Sequence, residues 1–207
     1  MASTATAQLG HELAEIAGQA YVCDDPGALT GFAMDGVRPG LWVLPASAEE
    51  TAEVVRVANR HRASIAVAGG FTRQSMGNVP EKVDILLRTD RLNRVLHFDP
   101  GDLTIGVEAG CKLAEVRKRV AESGLLLPLD PARAEVATVG GALASASFGP
   151  LKHGFGGVRE YCIGVSFVTG DGRLAKAGGR VVKNVAGYDV MKLMIGSQGS
   201  LVRSRTL

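Results

Sequence analysis

The stretch "SIAVAGGFTRQSMGN", residues 64–78, starts as an apolar run and ends as a loop of glycines and hydrogen-bond donors. Ser64 to Ala68 reads as a strand that runs straight into a glycine pair. Gly69 and Gly70 free the backbone to turn N–H groups into a concavity, and Thr72, Arg73, Ser75 and Asn78 add side-chain donors. Such a concavity suits an anion, above all a pyrophosphate. The same residues also fit a plain wide turn between two lobes, and both readings stay open on physics alone.

Upstream, "SAEETAEVVRVANRHR" opens with Ser47 and Glu50 in capping-box spacing, which predicts a helix from about Ala48 to His61. "LWVLP" before it is a short strand stopped by Pro45, so residues 41–68 form a β-α-β unit. Leu9, Leu13, Ile16 and Ala17 share one helical face, predicting a helix over 8–20. Downstream, "DILLRT", "RVLHFD" and "LTIGVEAG" are three strand-like pieces separated by turn residues. "CKLAEVRKRVAESG" is an amphipathic helix with Leu113, Val116 and Val120 on one face and Gly124 at its C′ position. Pro128 and Pro131 hold "LLLPLDP" extended. "YCIGVSFVTGDGRLAKAGG" is a hairpin turning at Gly170-Asp171-Gly172, and "GYDVMKLMIG" is a short helix. This mixed order predicts an α+β fold of two lobes: a lead-in over 1–38, a first lobe over 39–90 and a second over 91–207.

The 207 residues are 46% hydrophobic with a net charge of only +2, so a real core forms. No basic run with interleaved aromatics points to nucleic acid. Cys23, Cys111 and Cys162 are few, odd in number and far apart, which reads as free thiols in a reducing compartment. The first residues lack a basic segment and an apolar segment, and no apolar stretch reaches ~18 residues, so a cytoplasmic location is the expectation. The four histidines are isolated, and no metal site is expected. P-loop, G-x-G-x-x-G, H-E-x-x-H and G-x-S-x-G patterns are absent.

The informative excess is glycine, 27 residues clustered between apolar segments. "ATVGGALASASFGP", residues 137–150, puts Thr138, Gly140 and Gly141 at the start of a short helix of small residues. Either a phosphorylated or flat ligand lies there on the helix N-terminus, or the small residues serve close helix–sheet packing. "VVKNVAGYDVMKL", residues 181–193, offers Lys183, Asn184, Tyr188 and Asp189, a mix that usually means a solvated loop. Two candidate phosphate cradles in different lobes point to a large, two-phosphate ligand held between them.

The chain resembles the FAD-binding domain of the p-cresol methylhydroxylase/vanillyl-alcohol oxidase superfamily, most of all the flavin-binding subunits of bacterial glycolate oxidases. The resemblance covers about residues 20–201. It rests on "DGVRPGLWVLPASAEETAEVVRVA", "GGFTRQSMGNVP", "LNRVLHFDPGDLTIGVEAGCKLAEV", "LPLDP", "ATVGGALASASFGP" and "GRVVKNVAGYDVMKLMIGSQGSL" in that order. It implies two lobes with FAD in the cleft between them. It carries pyrophosphate binding onto Gly69, Gly70 and Thr72, with Gly77 and Asn78 closing the loop, and the second loop onto Thr138, Gly140, Gly141 and Ser145. Pro128 stands where the family's "LP" segment passes the flavin. Phe71 stands where the family usually has a third glycine. No histidine lies between residues 66 and 80 to bond the flavin covalently, so dissociable FAD is expected.

By the same resemblance, the complete enzyme transfers a hydride from a 2-hydroxy acid such as glycolate to FAD. Its partners are a second flavin subunit and an iron–sulfur subunit, which can hold it peripherally at the inner membrane. Substrate residues belong to a cap domain that these 207 residues do not include, so no catalytic residue is assigned and the chain alone is expected to be inactive. In the family, the turn "GSQGSL" leads into a branched apolar strand. Here Val202 replaces a glycine, and Arg203, Ser204, Arg205 and Thr206 follow. The expectation is a truncated chain lacking that last strand, with an unpaired sheet edge and weak FAD retention, and a non-catalytic remnant is the alternative function.

Overall fold

The computed structural model describes residues 4–179, 190–199 and 202–206. Helix α1 (Thr4–Ala17) carries Leu9, Leu13 and Ala17 inward, the periodic face read from the sequence. It packs beside α3 (Ala48–His61) on one core with Leu41, Val43, Val54, Val57, Ile85 and Leu87. Helix α3 starts where its local chemistry says it should. The Ser47 hydroxyl accepts from the Glu50 amide at 3.1 Å. The Glu50 carboxylate reaches back to the Ala46 amide at 2.7 Å, one residue further than a standard capping box.

Between and after these helices run β1 (Val22–Cys23), the short α2 (Pro26–Thr30), β2 (Leu41–Val43), β3 (Ile65–Ala68) and β4 (Ile85–Arg88). They form a sheet of order β1-β2-β4-β3, antiparallel at β1 and parallel elsewhere. The β2-α3-β3 unit is therefore a crossover that leaves room for β4 between its strands. Parallel central strands are covered on both faces. Accordingly Ile85, Leu86 and Leu87 are all buried, two against the α1–α3 core and Leu86 against Met34, Ala68 and Val83.

The remaining chain builds a second core. Strands β5 (Val95–Asp99) and β6 (Thr104–Val107) form a hairpin, followed by α4 (Leu113–Ala121), α5 (Val139–Ala144), α6 (Lys152–Phe155) and α7 (Val158–Tyr161). Val107, Leu113, Val116, Leu129, Val139, Leu143 and Val158 meet there. Strands β7 (Gly164–Thr169) and β8 (Leu174–Gly178) make the expected hairpin, with α8 (Val190–Met194) after it. Helix α3 joins the two parts. Its second face, Ala52 and Val55, packs on Val168 of β7, and Asn59 donates to the Gly170 carbonyl at 2.8 Å.

One expectation is corrected here. Val202–Thr206 is a strand, β9, paired antiparallel to β7 from Val165↔Thr206 to Thr169↔Val202. Strand β7 is thus paired on both edges, β8-β7-β9, and the predicted open edge is filled. The polar side chains of this run argue against a buried face, whereas a sheet edge is satisfied by backbone hydrogen bonds. The weak retention of FAD inferred from that edge loses its ground. Lys183, Asn184, Tyr188 and Asp189 lie outside the described residues.

At the entry to the parallel strands, Ser64 and Asp84 clamp one another. Ser64 donates to Asp84 Oδ2 from its amide at 2.7 Å and its hydroxyl at 2.8 Å, and the Asp84 amide donates to Ser64 Oγ at 2.9 Å. Burial pushes the Asp84 carboxyl up, but the bonds from Ser64 and from Lys82 outweigh it, and its pKa lies below the ordinary 3.8. The folded chain therefore takes up this proton less readily than the unfolded one. The clamp's contribution is complete above about pH 4 and is lost as pH falls through the depressed value. The urea midpoint of Asp84→Asn is expected to lie below wild type at pH 6 and to converge with it towards pH 3.

Candidate functional site

A cavity of about 380 Å³ opens between the first sheet and the α5 segment. Its apolar part is lined by Met34, Ile65, Val67, Leu87, Val168 and Met194. Of the residues expected at a ligand site, Gly69, Gly70, Phe71, Thr72, Asn78, Thr138, Gly140, Gly141 and Ser145 all lie on its wall. Gly77 and Pro128 do not. Gly77 faces Gln198 at the loop tip, and Pro128 is buried beside Leu129 of the second core.

The two glycine loops differ in what they offer. Among the described residues, no protein acceptor meets the backbone N–H groups of Gly69, Gly70, Phe71 or Thr72. Four consecutive amides without acceptors on a cavity wall form an anion cradle, because a half-buried N–H needs a partner. The amides at the start of α5 are already used. Val139 donates to the Cys111 carbonyl at 2.9 Å, Gly140 to the Ala109 carbonyl at 2.8 Å and Gly141 to the Thr138 hydroxyl at 3.2 Å. Of the two readings that the sequence leaves open for 137–150, these bonds favour close packing. A Cβ on Gly140 would stand 2.7 Å from the Ala109 Cβ. What Gly140, Gly141 and Ala144 give the cavity is a flat wall of small residues.

The loops touch directly. A Cβ on Gly69 would meet Thr138 Oγ1 at 2.2 Å, and one on Gly70 would meet the Val136 carbonyl oxygen at 1.8 Å. The glycine pair also partitions this cavity from a smaller one of about 220 Å³ lined by Asp90, Lys112 and Glu115. With both signs of charge, that second cavity has no net pull on a dianion.

Phe71 sits at φ +52°, in the left-handed region that explains why a glycine suits this position. Its ring stacks edge-on against Phe32 at 5.5 Å and repays part of the strain. Truncation to alanine keeps the strain and loses the ring, while glycine relieves the strain. Phe71→Ala is expected to be less stable than Phe71→Gly by about 0.5–1 kcal/mol, the reverse of the order in ordinary backbone, read by urea denaturation.

By sequence the turn at 196–199 is the last stretch that follows the family pattern, rather than a ligand loop. Ser197, Gln198 and Gly199 in fact line the cavity. Gly196 donates to the Leu143 carbonyl at 3.0 Å and Gln198 to that of Ala144 at 2.7 Å, so the turn is pinned to the end of α5. Its glycines were the available signal. Thr89, Leu92 and Ala109 also line the wall, and no pattern in the sequence marks them.

A family model described as an FAD binding domain matches residues 39–178. The chain is 36% identical over 182 residues to D-2-hydroxyglutarate dehydrogenase of Xanthomonas citri pv. viticola, covering 86% of this chain and 39% of that protein. It is 30% identical over 163 residues to a glycolate oxidase subunit of Bacillus subtilis, covering 79% and 35%. It superposes on 4-ethylphenol oxidase from Gulosibacter chungangensis with a TM-score of 0.80 at 20% identity, covering 99% of this chain and 42% of the other, a likeness of fold. The chain thus spans under half the length of these relatives. No helix among the described residues is long and apolar enough to cross a membrane.

Proposed function

We propose, since this chain belongs to the FAD-binding domain family of the p-cresol methylhydroxylase type, that it is the flavin-holding part of an oxidoreductase acting on a 2-hydroxy acid. The observation that carries the site is the run of four acceptor-free amides, Gly69 to Thr72, on a cavity that the small residues Gly140, Gly141 and Ala144 also line. The amides bind the pyrophosphate, and Asn78 adds a donor at the far end of the same loop. Gly140, Gly141 and Ala144 let a flat ligand lie on the backbone, and Ser145 closes that wall. Met34, Ile65, Val67, Leu87, Val168 and Met194 exclude water from the apolar part. FAD, when bound, supplies the hydride acceptor.

Residues 39–90 act in this reading as one lobe and 91–207 as the other, with α1 packed on the first. The cofactor is held without a covalent bond in this reading, since no histidine lies between residues 66 and 80. The relatives' names carry the substrate class, D-2-hydroxyglutarate in one and glycolate in the other. A relative named as a subunit supports assembly with further chains; in this reading they are a second flavin subunit and an iron–sulfur subunit that takes the electrons. Such an assembly is cytoplasmic or held peripherally at the inner membrane by those partners.

The test is the visible spectrum of the purified chain, then its response to glycolate, D-lactate and D-2-hydroxyglutarate with an artificial acceptor. Flavin bands with little or no turnover by the chain alone are expected. A protein that takes up no FAD removes the cofactor reading, and steady turnover by the chain alone removes the assignment of substrate residues to other segments.

A further inference from the structure

The acceptor-free amides offer only partial positive charge, whereas a pyrophosphate carries two full negative charges. Among the described residues lining the cavity, Arg73 is the only charged one, and it follows directly on the four-amide run. Its Nε donates to the Ser147 hydroxyl at 3.1 Å, and Nη1 and Nη2 meet no acceptor among the described residues. Ser147 is buried and lies 2.5 Å, oxygen to oxygen, from Ser145. The Ser145 hydroxyl is fixed in turn on the Gly141 carbonyl at 2.6 Å. One edge of the guanidinium is thus anchored to Ser147 just after α5, and the other edge is left for a ligand. A guanidinium held in this way is preorganised for two parallel bonds to phosphate oxygens.

We propose that Arg73 neutralises the cofactor's pyrophosphate and makes the site selective for diphosphates, with Ser147 and Ser145 as the residues that position it. The proposal rests on the FAD reading above. Arg73 adds its charge next to the amide run, so recognition combines one full charge with four oriented dipoles. The second cavity, bordered by the same glycines, carries the opposite imbalance, Asp90 and Glu115 against Lys112.

The experiment is calorimetric titration of the purified chain with ADP and with adenosine, which differ by the diphosphate alone. Wild type is expected to bind ADP at least about tenfold more tightly than adenosine, and Arg73→Gln to cut that ratio several-fold, the amides keeping the remainder, while leaving adenosine binding unchanged. Arg73→Lys retains part of the ratio, and Ser147→Ala falls between wild type and Arg73→Gln. Raising ionic strength to about 0.5 M weakens ADP binding by wild type and spares adenosine, a reading that needs no variant to fold. Equal loss of both ligands in Arg73→Gln, or no loss of either, overturns the proposal while FAD binding by wild type still stands. Wild type that binds neither FAD nor ADP overturns the cofactor reading and this proposal together.

Discussion

Gly70→Ala is expected to destabilise the protein by about 3 kcal/mol or more and to abolish flavin uptake. The added Cβ would stand 1.8 Å from the Val136 carbonyl oxygen, 2.6 Å from its carbon and 3.2 Å from the Ala137 nitrogen. All three are backbone atoms, and the segment cannot retreat. Val136 and Ala137 both donate to the Arg133 carbonyl, and the Ala137 carbonyl accepts from Leu113 at the start of α4. The loop must move instead, taking the four acceptor-free amides away from the cavity wall. Gly31→Ala is the control: nothing lies within 4 Å of its added Cβ, and its backbone is right-handed helical. It is expected to stay within about 0.5 kcal/mol of wild type. Urea midpoints and flavin content of the two variants check this, and a Gly70→Ala protein with wild-type values would contradict the close approach of the two loops.

Glu108→Ala is expected to cost about 3 kcal/mol. Glu108 is fully buried, with 0% exposure, at the end of β6. Its carboxylate accepts from the Arg94 amide at 2.9 Å and from Arg94 Nη2 at 2.7 Å, tying the base of the β5–β6 hairpin. The Cys111 thiol donates to the Arg94 carbonyl at 3.3 Å beside it. Burial first, and Glu108 second among the raising influences, push that thiol up to about 11, so Cys111 is a neutral packing residue at physiological pH. Alanine at 108 leaves the Arg94 amide without its acceptor and opens a void in the second core. Glu108→Gln keeps an acceptor and the volume and is expected to lose about half as much. Urea denaturation of the two variants gives the comparison, and equal stability of all three proteins would contradict it.

What could be read from the sequence was what local chemistry writes. Ser47 and Glu50 mark the start of α3, periodicity marks α1 and α4, and the strand-to-glycine junction at Ala68–Gly69 marks the first loop. What could not be read depends on partners distant in the chain. The amides of 139–141 look free in sequence, but the Cys111 and Ala109 carbonyls that occupy two of them lie about 30 residues earlier. Gln198 reaches the cavity because Ala144 accepts its amide. Glu108 reads as one acidic residue after a strand, and only the hairpin fold brings Arg94 beneath it. Helices α2, α6 and α7, at four or five residues, are too short for periodicity to register.

The central claim is that this chain holds one FAD, without a covalent bond, in the cavity between its two glycine loops. Titration of FAD into flavin-free protein, followed by quenching of flavin fluorescence and then by denaturation and filtration, tests it most directly. The account predicts saturation at one FAD per chain, with all of the flavin passing into the filtrate and Gly70→Ala failing to quench. Absence of saturable binding, or flavin that stays with the denatured chain, would contradict it.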